Sequence, residues 1–150
     1  MMSQLTFKEF LTEIFQSSTP FKWIYNLETE SKAQFTIDNT EYVVLFGFDD
    51  YDNFWDVTFD IKDDVRGREP YSPTGFGKSF SVLSVVKQIL IDFLLHQNTN
   101  VYKIRFSADS ESRKKAYNIL AKSILSGLPK EWQLRTVDKG VRKYILYKQS

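Results

Sequence analysis

Apolar and polar positions along this chain repeat with two periods, and the switches between them mark the elements. Phe7, Phe10, Leu11, Ile14 and Phe15 recur at helical spacing. Thr6 and Glu9 have capping-box spacing ahead of them, which predicts an amphipathic helix ending near residues 17–20. The period then shortens to two. Phe21, Trp23, Tyr25 and Leu27 alternate with polar residues, and so do Phe35 and Ile37. Asp38-Asn39-Thr40 predicts a tight turn into residues 42–48, which are apolar on both faces and therefore suit a central strand. A second turn over 49–53 leads into Trp55, Val57, Phe59 and Ile61, alternating with Asp56, Thr58 and Asp60. The whole stretch reads as an antiparallel meander.

Residues 63–74 are polar and hold two prolines and a glycine, so they read as a loop. A helix is expected after Gly77. Phe80, Leu83, Val86, Leu90, Phe93 and Leu94 form its stripe, and Val82, Val85 and Ile89 widen it, as in a helix lying on a sheet. A strand follows over 101–107. A second helix covers 110–126, with Tyr117, Leu120 and Ile124 inward, and Gly127-Leu128-Pro129 reads as a glycine-type stop. A hairpin around Asp138-Lys139-Gly140 ends the pattern. The order α-β-β-β-β-α-β-α-β-β predicts one α+β domain over residues 1–150, an antiparallel meander plus a mixed sheet flanked by three helices.

Composition narrows the chemistry more than the fold. The 150 residues include no cysteine and one histidine, His96. Disulfides, thiolate metal sites, cysteine nucleophiles and multi-histidine centres within one chain are excluded. His96, near the end of the long helix, suits an exposed-carbonyl cap. Seven aspartates crowd positions 49–64, but Asp56 and Asp60 stand about 13 Å apart along one strand face, too far to share a cation. They read as a solvated face, and no metal site is expected. The first residues lack a basic leader pattern, and no apolar run is long enough for a membrane span.

Net charge is +1, but it is a cancellation. Residues 1–96 carry 8 basic and 15 acidic side chains, net −7; residues 97–150 carry 12 and 4, net +8. Lys103 and Arg105 on a strand, with Arg113, Lys114 and Lys115 on the next helix, are expected to form a basic patch for an acidic partner or a phosphate-rich ligand. The balanced total argues against a general nucleic-acid coat.

Thr74-Gly75-Phe76-Gly77-Lys78-Ser79 opens the long helix. Glycines there expose backbone N–H groups, the helix terminus favours anions, and Lys78 and Ser79 add donors, so the segment is the candidate phosphate-binding turn. It is not a Walker A loop, because Ser72 stands where the first glycine belongs, nor a Rossmann fingerprint, because Phe80 stands at the third.

A meander, a G-x-G turn opening a helix, and a strand and helix bearing a tyrosine together resemble the GNAT N-acyltransferase fold. That resemblance implies acetyl-CoA or another acyl-CoA at residues 74–79, with Tyr117 as the acid near the thioester sulfur. In the family pattern [QR]-x-x-G-x-[GA], Gly75 and Gly77 match while Ser72 takes the leading place. In N-x-x-A-x-x-x-Y, Ser110 and Arg113 replace the first two residues and Tyr117 remains. The chain also resembles a group of short phage-encoded proteins through Thr74-Gly75-Phe76-Gly77, Phe106-Ser107-Ala108 and Ser112-Arg113…Tyr117. This implies a viral source and a place in the host cytoplasm. Three readings stay open: a GNAT-like domain that has lost transfer and binds a protein partner, an active N-acyltransferase, and a virion component packed against copies of itself.

Overall fold

The computed structural model describes residues 19–61, 76–97, 101–108 and 111–148, with the backbone alone for 60–61, 76–80 and 112. The helix expected over residues 7–15 lies outside them. The described residues form seven strands: β1 (Lys22–Asn26), β2 (Glu30–Ile37), β3 (Thr40–Asp49), β4 (Phe54–Ile61), β5 (Lys103–Ala108), β6 (Trp132–Lys139) and β7 (Val141–Lys148). Helix α1 (Phe76–Asp92) runs into a π turn, Phe93–Gln97, and α2 (Glu111–Ser126) follows β5. The fold is therefore mixed α+β, with two helices among the described residues.

The strands form one sheet in the order β1-β2-β3-β4-β5-β7-β6. β1 to β4 are the expected antiparallel meander. β5, β7 and β6 are likewise antiparallel. Between the two groups, β4 and β5 run parallel and pair only at Trp55↔Ile104 and Asp56↔Arg105. β6 is thus parallel to β5, so β4–α1–β5 and β5–α2–β6 are crossovers in the same direction. Two right-handed crossovers of that kind put both helices on one face. Their buried residues share one core with the inner residues of β2 to β7: Val86 and Leu90 from α1 and Leu120 and Ile124 from α2 meet Val44, Val57, Ile104 and Leu146. Val82, Val85, Ile89 and Leu90 are all at most 1% exposed, which accounts for the width of the stripe.

Several local expectations are corrected. β1 keeps the expected alternation of burial from Phe21 to Tyr25, but its register shifts between Trp23 and Tyr25, with Ile24 as the bulge residue, and Leu27 beyond its end is exposed. β2 starts at Glu30, earlier than its two large apolar residues suggested, because small Ser31 and Ala33 occupy its buried positions. Gly77 adopts helical backbone in the first turn of α1 and is not a left-handed turn residue. Low glycine propensity is a weak prior against a helix anchored by an apolar stripe. Gly127 shows no left-handed cap either. It sits where the end of α2 meets α1: a Cβ there would lie 2.8 Å from Ile91 Cδ1, a side-chain tip that would have to move aside. The Asp38-Asn39 turn is as expected, with positive φ at both residues (49° and 64°), the geometry of a two-residue type I′ hairpin.

Lys87 is half-buried on α1, and desolvation lowers its pKa below the ordinary 10.5. The folded chain then binds fewer protons than the unfolded chain between the lowered value and 10.5. Stability therefore rises with pH through that window, and the penalty is complete at neutral pH. Lys87→Met is expected to raise the urea midpoint at pH 7, with the gain shrinking as pH rises toward 10.5. Urea melts at a series of pH values check this.

Candidate functional site

The two ends of the sheet differ, and α1 defines them. Phe93, just past α1, stacks on Phe46 with centroids 4.0 Å apart and meets Trp55 edge-on at 5.2 Å. The C-terminal end of α1 therefore lies over the start of β4, and its N-terminus points toward the other end, where β4 and β5 part. Thr74 and Gly75 of the predicted phosphate turn lie outside the described residues. Phe76, Gly77, Lys78 and Ser79 form the first turn of α1, whose opening N–H groups have no partner within the helix.

Tyr117 stands at that same end. It is 4% exposed, with its ring 4.8 Å from Phe59 of β4 and 5.6 Å from Phe106 of β5. Both rings lie beyond the two paired residues of the seam, so Tyr117 bridges the parting strands on the helix side. Tyr144 stacks on Phe106 at 5.4 Å and donates its hydroxyl hydrogen to the Lys114 carbonyl at 2.9 Å, which ties β7 to α2. A tyrosine enclosed in this way is a packing residue before it is an acid, since an acid must reach the group it protonates.

The expected basic patch is not one surface. By register, Lys103 and Arg105 project from the sheet face opposite the helices, since Ile104 and Phe106 between them are in the core. Arg113, Lys114 and Lys115 ride on α2 on the other side. The strict two-residue alternation of β5 causes the separation. Arg105 is moreover engaged: its Nε lies 3.5 Å from Asp56 Oδ1, and its guanidinium carbon lies 3.9 Å above the Phe54 ring. Among the described residues, no group of acidic and histidine side chains is placed to hold a metal ion. No helix among them is long and apolar enough to cross a membrane.

At the opposite end lies a cavity of about 550 Å³ that the sequence did not signal. The β1–β2 turn (Glu28, Thr29), Asn53, Gln97 and the lead-in to β5 (Val101, Tyr102, Lys103) surround it, with Phe48 and Trp55 as aromatic lining. Its frame is hydrogen-bonded. Asn53 donates from its amide to the Tyr102 hydroxyl, and the Phe48 N–H donates to the Thr29 carbonyl at 2.9 Å. Asn26 donates to Gln97 Oε1 at 3.1 Å, while Gln97 Nε2 and Trp23 Nε1 donate to Asp92 Oδ2 at 3.2 and 2.8 Å. The π turn delivers Gln97 to this network, and such turns recur at functional sites. Polar residues scattered over five segments carry no common sequence period, which is why the cavity was not legible.

Comparison with known proteins returns no matching family model and no matching curated protein.

Removing the Tyr117 ring leaves a void between Phe59 and Phe106. Tyr117→Ala is expected to cost about 3–5 kcal/mol, as aromatic truncations in a core do. Tyr117→Phe, which keeps the ring, is expected to cost much less. Guanidinium unfolding of both variants measures the difference.

Proposed function

We propose that this chain is a phage accessory protein built on a GNAT-like domain, working by binding a protein partner and not by acyl transfer. Two features support the GNAT-like part. The meander passes through α1 to a parallel strand and through α2 to a final hairpin, the order the resemblance implies. The parallel seam is only two residues long, so β4 and β5 separate toward the end where α1 begins.

The observation that carries the loss of transfer is the enclosure of Tyr117. The parting of the strands is closed on the helix side by Tyr117 against Phe59 and Phe106. Ser72 and Arg113, standing where the family pattern has other residues, point the same way. The active-transferase reading draws on one feature, the first turn of α1 at the same end of the sheet as Tyr117.

Calorimetric titration with acetyl-CoA separates the two. No saturable heat at millimolar ligand is expected. Saturable binding that Gly77→Trp abolishes would overturn the proposal in favour of an acyl-CoA-dependent enzyme, with the phosphates held at residues 74–79.

A further inference from the structure

Of the six exposed large apolar side chains among the described residues, three lie at the end of the sheet holding the cavity: Leu27 (59%), Tyr51 (92%) and Tyr102 (43%), the first two being the most exposed of the six. All three belong to the turns and lead-in that rim the cavity: Leu27 precedes Glu28, Tyr51 lies two residues before Asn53, and Tyr102 lines the wall. Large side chains left in water beside a concave aromatic site mark an interaction surface more than scattered ones do. The same rim is acidic. Glu28 lines the cavity, and Asp50 and Asp52 are exposed on the β3–β4 turn. Asp49 accepts the Tyr51 and Asp52 N–H groups at 3.0 and 3.3 Å, which fixes the turn that presents Tyr51. Lys103 lines the β5 side and balances Glu28 within the lining, so the acidic excess comes from Asp50 and Asp52 on the turn that leads to Asn53.

We propose that this end of the domain is a docking site for a basic peptide segment of a partner protein, which seats one aromatic or large aliphatic side chain in the cavity between Phe48, Trp55 and Tyr102. Charge complementarity selects the peptide: lysines or arginines flanking the anchor face Glu28, Asp50 and Asp52, and an acidic peptide is repelled. Trp55 and Phe48, 5.5 Å apart and tilted by 50°, offer an edge and a face to an aromatic anchor. Tyr51, the most exposed of the large side chains, packs beside the anchor and excludes water, the role aromatic residues take at interface centres. The hydrogen-bonded rim needs little rearrangement, so little ordering opposes binding. The inference rests on the partner-binding reading and gives that reading a place and a partner chemistry.

The test uses the full chain and a capped peptide, Lys-Lys-Trp-Lys-Lys, titrated by calorimetry and followed by amide shifts. Saturable binding is expected, weaker at high salt, with shifts confined to 27–29, 50–55 and 101–103. Replacing the peptide tryptophan by glycine, or the lysines by glutamates, is expected to remove it. The triple variant Glu28→Gln, Asp50→Asn, Asp52→Asn should weaken binding about tenfold, the combined effect of several exposed charge pairs. Tyr51→Ala should weaken it too, and its exposed position keeps the fold intact. Equal binding of the glutamate peptide, equal binding by the triple variant, or no saturation at millimolar peptide would overturn the proposal. The acetyl-CoA titration reports separately on the underlying reading: peptide failure without acetyl-CoA binding rejects this site alone, and acetyl-CoA binding rejects the reading itself.

Discussion

Two residue pairs hold the halves of this sheet together. Trp55↔Ile104 and Asp56↔Arg105 are the whole parallel pairing between the meander and the β5-β7-β6 group. The second pair is an ion pair across the seam, and the same guanidinium lies on Phe54, so charge and packing act at one point. A half-exposed pair of this kind contributes modestly by itself. The seam endures because both helices cross it on the inner face and bury one core common to both halves. The −7 and +8 chain segments meet here: the acidic meander and the basic second half share one sheet, and Asp56–Arg105 is their contact in miniature.

So short a seam gives the domain two unlike ends. Where β4 and β5 part, Tyr117 fills the space between Phe59 and Phe106 and links to Tyr144. At the paired end, a second aromatic group of Trp23, Phe46, Phe93 and Trp55 anchors the π turn. Just outside that anchor, the described residues of the turns line the cavity. Among the described residues, the end where β4 and β5 part is thus packed with aromatic rings, while the paired end keeps a concave aromatic site.

Of the 13 Phe, 8 Tyr and 3 Trp in the sequence, eight side chains build these two clusters. Trp23, Trp55, Phe59 and Phe93 had inward phases in their predicted elements, whereas Phe46 lay in a strand apolar on both faces and Phe106 in a short strand without an assigned phase. Tyr51 and Tyr102 had no inward phase, and both lie in turns or lead-ins where no period operates. The same limit explains the divided basic patch. Charge composition placed Arg105 and Lys114 close along the chain, but strand alternation and crossover handedness sent them to opposite faces.

Alone, the sequence determined the meander, both described helices, the final hairpin and most of the core, because each rests on local periodicity and turn chemistry. A tight turn at Asp38-Asn39-Thr40 followed from residue types, and the structure gave it type I′ geometry. Tertiary structure decided what depends on distant segments meeting: the two-residue seam, the bulge at Ile24, the approach of Ile91 to Gly127, the enclosure of Tyr117 and the cavity beneath Tyr102. Local pattern fixes which side of an element faces inward. Only packing fixes which elements face one another and where they fail to close.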